Sequence, residues 1–159
     1  MSDPLSIYLH DHLAGADMAI DLLKAMKERE KEEHLGEFAR HLLPEVEQDQ
    51  QTLQQLADST GSGGNVLKEF TAWLSEKVSR FKLGQGAAEE FGTFEALEFL
   101  ALGVLGKVSL WRALQVAAKE DPRLRHLDFE RLIARAEAQH AEVEQKRLAL
   151  VPIALKPAK

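Results

Sequence analysis

The stretch DSTGSGGN, residues 58–65, breaks the chain between helical segments. Its glycines and serines interrupt all periodicity and mark a connection. Before it, apolar residues recur at helical spacing. Leu9, Leu13, Ala16, Ile20 and Leu23 form a 4-3-4-3 seam, which predicts a helix from about Leu5 to Lys31 with Asp3 and Pro4 as N-cap and first residue. A second seam, Leu35, Ala39, Leu42, Val46, Asp49, Leu53 and Leu56, predicts a helix from about His34 to Ala57, which Pro44 is expected to interrupt and kink. The link near Glu32–Glu33 is so short that the two helices must be antiparallel neighbours. After the break, Asn65 can cap a short helix to about Lys82. GQG at 84–86 ends it. A long helix is expected from Ala87 to Lys119, Asp121–Pro122 breaks it, and Asp128 caps a last helix to about Leu150. Residues 151–159, with two prolines, are expected to be irregular. The reading is one all-α domain over 1–159: two antiparallel hairpins joined by a long crossover, residues 58–88, that carries a short extra helix.

Composition removes several classes of function. The chain has 159 residues, 45% of them hydrophobic and 29% charged, with a formal net charge of −6. That balance is of a folded domain and is unfavourable for nucleic acid or an anionic membrane surface. Its most basic stretch, PRLRHLDFERLIAR (122–135), interleaves arginine with acids and apolar residues and reads as a solvated helix face. There is no cysteine, so disulfides, thiolate ligands and a cysteine nucleophile are excluded. The N-terminus has neither a basic nor an apolar signal region. The run FLALGVLG (99–106) is too short to span a bilayer. A cytoplasmic protein is the expectation. A homodimer suits this size and acidity, although no seam demands one.

Four long helices with one long crossover resemble the ferritin-like four-helix-bundle superfamily. The segments DHLAGA (11–16) and GVLGKVSLWRAL (103–114) also resemble bacterial ferritin-like proteins that carry no assigned activity. The resemblance implies a question. Bundles of this kind hold two iron or manganese ions with a carboxylate from each of two helices and Glu-x-x-His from each of the other two. In RAEAQHAEVEQKR (135–147), Glu137-x-x-His140 has that form, and a seam of Phe129, Ile133, Ala136, His140 and Val143 would turn His140 inward. The second helix offers Glu45 and Asp49, but Gln48 stands where the second His belongs. The fourth offers Glu98, which shares a side with Phe94, Ala101 and Leu105, and Glu95 close by. The first has no inward Glu, only His12 or Asp17 beside its seam. A metal centre would therefore draw on Glu45, Asp49, Glu98, Glu137 and His140, and the set is incomplete.

Helix register argues against it. With 1.5 Å rise per residue, Glu98 and His140 are offset by on the order of 6–18 Å along the axis. Lys107 instead falls level with Glu137 and His140, and Arg147 with Glu98. Acids on apolar faces are costly unless paired. The favoured reading is thus a degenerate metal site, replaced by a buried polar network of Asp49, Glu98, Lys107, Glu137 and Arg147, with a structural or binding role and no cofactor favoured. One alternative is a di-iron or di-manganese oxidoreductase. A second is a small-molecule binder with a pocket between the hairpins at Gly103 and Gly106. The remaining features read as ordinary: GSGG as a linker without a phosphate-binding context, Trp73 and Trp111 as core or interface, His10 as a surface or half-buried histidine.

Overall fold

The computed structural model describes residues 3–29, 33–61 and 89–157, together with positions 72, 75, 76, 78, 79 and 81. It contains four long helices, and no strand occurs among the described residues. Helix α1 is Pro4–Lys27 and α2 is Glu33–Thr60. Helix α3 is Glu89–Ala117, and α4, after a single 3-10 turn at Pro122–Leu124, is Phe129–Ala154. The starts follow local chemistry. The Asp3 carboxylate accepts from the Leu5 N–H at 3.1 Å, and that of Asp128 from the Arg131 N–H at 3.1 Å, which satisfies amides that no helical carbonyl can reach. Gly61, with φ of +95°, follows the last residue of α2 in the left-handed region that glycine enters without strain.

Two expectations shift. Helix α2 runs through Pro44 without interruption. Helix α4 continues through Pro152 to Ala154, so the start of the tail is helical, and the Leu155 N–H closes the end on the Val151 carbonyl at 3.0 Å. The described positions between 72 and 81 are helical, and Val78 and Phe81 are buried in the core. Most of the expected crossover, with Asn65, Trp73 and all of the GSGG run after Gly61, lies outside the described residues.

Helix α1 packs along α2, α3 along α4, and α1 also lies against α3. The Ser6 hydroxyl donates to the Gly61 carbonyl at 3.1 Å, so the end of α2 returns to the start of α1. At the other end of α1, Arg29 donates to the Phe81 carbonyl, stacks over the Phe81 ring at 4.1 Å and pairs with Glu89 at 3.7 Å. Arg123 reaches Asp3 at 2.8 Å and ties the α3–α4 turn to the start of α1.

The buried apolar residues form two clusters rather than one. The first takes Leu22, Leu23 and Met26 of α1, the first half of α2, and Leu97 to Val104 of α3. The second takes Leu9 and Leu13 of α1, Leu53 to Ala57 of α2, Val108 to Leu114 of α3, and Phe129 to Ala136 of α4. On α2 the clusters are separated by Asp49, which is only 3% exposed. Helix α3 is long and apolar enough to cross a membrane by length and composition. Its most apolar window has a mean hydropathy of 1.3 and is 39% buried within the bundle.

Candidate functional site

Between the two clusters lies a polar layer built from three helices. Asp49 of α2 accepts from Lys107 of α3 through Oδ2 at 2.7 Å and from Arg135 of α4 through Oδ1. Gln139, 1% exposed, completes it. Its amide oxygen accepts from Lys107, and its NH₂ group donates to Glu45 Oε2 at 2.9 Å and to Asp49 Oδ2 at 3.4 Å. Arg135 also donates to the Gln48 amide oxygen. Spacing explains the convergence. Glu45 and Asp49 are one turn apart on α2, Arg135 and Gln139 one turn apart on α4, and each pair faces the other across the bundle. A carboxylate this deeply buried is stable only when its oxygens are occupied, and both are. Burial lowers the Lys107 pKa below the ordinary lysine value, while the adjacent Asp49 charge opposes the shift.

The proposed metal ligands do not converge. Glu137 is exposed and pairs with Arg112, also exposed. Glu98 is exposed and meets Arg147 at 3.3 Å, and Arg147 is held more closely by Glu144 at 2.7 Å. His140 is half-buried, near Glu144. Asp17 is exposed and accepts from Gln50 at 3.0 Å. Among the described residues no three His, Asp or Glu side chains gather as a cation would require. The anticipated network of five is likewise divided. Asp49 and Lys107 form its buried centre, whereas the Glu98–Arg147 and Glu137–Arg112 pairs lie toward solvent.

The phase of α4 is the cause. Its inward residues are Phe129, Leu132, Ala136, Gln139 and Val143. That stripe shares every seventh residue with the expected one but replaces Ile133 and His140 by Leu132 and Gln139. Gln139, neutral and unremarkable in sequence, and Arg135, which reads as part of a solvated face, were therefore missed. A signal was available. Arg135 and Gln139 lie i, i+4, and register places Gln139 level with Lys107.

Beside the layer is a cavity of about 570 Å³ between α1, α2 and α3. Lys107 and Asp49 are on its wall, with Trp111, Leu110 and Leu53 at one side and Leu22, Val46 and Leu100 at the other. Small residues make the space. From Ala14 to Asp21 no residue of α1 is fully buried, and Ala14, Gly15, Ala16 and Ala19 border the opening. On α3, Gly103 and Gly106 border it, and a methyl group added to Gly15, Gly103 or Gly106 would touch nothing within 4 Å. These glycines leave room rather than let helices close together. His12 also lines the cavity. Its ring meets Tyr8 edge-on at 4.7 Å, and burial lowers its pKa below the ordinary imidazole value, with Asp11 opposing.

No protein-family model, curated protein or solved structure matches the chain.

Proposed function

We propose that this helical bundle binds a small, largely apolar molecule in the cavity between α1, α2 and α3, on a ferritin-like scaffold whose di-metal centre has been replaced by an ion-paired layer. The observation that carries the reading is the cavity itself. Its volume is in the range of small-molecule sites, and it joins apolar walls to a few convergent polar groups. The scaffold assignment is supported by the chain ends. Helix α2 ends beside the start of α1 and α3 starts beside the end of α1, an arrangement that suits a single-crossover topology. The layer supports the degenerate-site reading because Lys107 and Arg135 place cations against Asp49, which satisfies its charge without a metal.

Cavity filling tests the reading. Gly103→Leu and Gly106→Leu each add bulk where a Cβ has open space, and each replaces a poor helix former by a good one. The wild-type chain should bind a neutral environment-sensitive dye such as N-phenyl-1-naphthylamine in a saturable manner. Both variants should lose at least tenfold in affinity while melting no lower than wild type. Equal dye binding by all three proteins would sink the proposal.

A further inference from the structure

At the cavity and its adjoining layer, the buried polar atoms without a partner are both donors. Lys107 has three N–H donors, and two are engaged, by Asp49 and Gln139. Trp111 is fully buried, lines the cavity, and its indole N–H has no partner. The Arg135 Nε–H, buried in the adjoining layer, has none either. These are the two buried side-chain nitrogen or oxygen atoms without a partner among the described residues, and both are donors. The Asp49 acceptors are occupied. Asp49 receives Arg135 on one oxygen and Lys107 with Gln139 on the other. An unmet buried donor is costly, so the complementary ligand must bring acceptor capacity.

We infer that the cavity takes an apolar monocarboxylate, with its carboxylate against the Lys107 ammonium and the Trp111 indole N–H and its hydrocarbon body along Ala14, Gly15, Gly103 and Val104. This rests on the cavity being a binding site, as proposed above. A carboxylate presents two oxygens with about four lone-pair sites, and its hydrogen bonds are charge-assisted. It also joins a layer in which two cations, Lys107 and Arg135, share the fully buried Asp49, with the half-buried Glu45 close to Lys107. An ammonium head would place a further cation beside Lys107 and find the Asp49 oxygens already engaged. Asp11, half-buried on the α1 wall, disfavours an anion near it and directs the head toward α3. Apolar surface removed from water would supply most of the affinity, and the donors would supply the selectivity.

The test is displacement of N-phenyl-1-naphthylamine from the full chain at neutral pH by decanoate, decanol and decylamine, each below its aggregation threshold. Decanoate should displace the dye at a concentration at least tenfold lower than decylamine and several-fold lower than decanol. Trp111→Phe removes the N–H and leaves the ion pairs in place, so it should weaken decanoate while decanol is little changed. Lys107→Met should abolish the preference for decanoate. Decylamine binding as well as decanoate, or Trp111→Phe weakening all three equally, would overturn the inference while dye binding keeps the cavity reading intact. Failure of the dye itself to bind, or equal binding by Gly106→Leu, would remove both.

Discussion

His12 shows how much one residue's surroundings alter its chemistry. In sequence it is a polar residue beside an apolar seam. In the fold it lines the cavity and packs against Tyr8, and burial outweighs the attraction of Asp11 and lowers its pKa from 6.5. The folded protein therefore binds fewer protons at this ring than the unfolded chain just below that value. The linked stability is fully present above the unfolded pKa near 6.5 and is lost as pH falls through the lowered folded pKa. Thermal melts from neutral pH downward should show wild type losing stability over this window. His12→Gln, which does not titrate, should lose less. Parallel curves for the two proteins would show that His12 is not the group responsible.

At the scale of the element, α4 illustrates a real degeneracy. Phe129, Ala136 and Val143 repeat every seven residues and belong to either of two stripes. One stripe adds Ile133 and His140, the other Leu132 and Gln139. Periodicity alone does not choose between them, because each pairs one aliphatic with one polar residue. Contact with α2 chooses. Gln139 can satisfy Lys107, Glu45 and Asp49 together through its oxygen and two N–H groups. A neutral imidazole has one donor and one acceptor and cannot. Glu137 is thereby turned outward to an exposed pairing with Arg112. Exposed pairs contribute little, so Glu137→Ala should change stability by no more than about 0.5–1 kcal/mol in chemical denaturation. A much larger loss would place Glu137 inside the bundle instead.

For the whole molecule, the polar layer joins two apolar cores and both hairpins. Asp49 is its centre, held by Lys107 from α3 and Arg135 from α4. Removing Asp49 leaves two largely buried cations without an anion between them. Removing Lys107 leaves Asp49 still paired with Arg135. Asp49→Ala should therefore cost about 3–5 kcal/mol, as expected when one partner of a buried pair is deleted, and Lys107→Met distinctly less. Denaturant unfolding of the two variants checks the order. Equal or reversed costs would mean that Lys107, not Asp49, carries the layer. Such a layer also specifies register, because sliding α2 against α4 by one turn would part Asp49 from either Arg135 or Gln139.

The sequence by itself determined the four helices, their approximate ends and their pairing into hairpins. Those follow from seven-residue spacing, caps at Asp3 and Asp128, and glycine at the end of α2, all of which are local. It also placed Lys107 and Arg147 at the right levels, since axial rise is fixed once a turn is located. The tertiary structure decided what faces what. Rotation of a helix about its axis depends on partners distant in sequence, so the choice of Gln139 over His140, the recruitment of Arg135 and the outward turn of Glu98 and Glu137 were settled by α2 and α3. The cavity too belongs to the fold. Gly103 and Gly106 can draw two helices together or hold them apart, and only the position of α1 decides which.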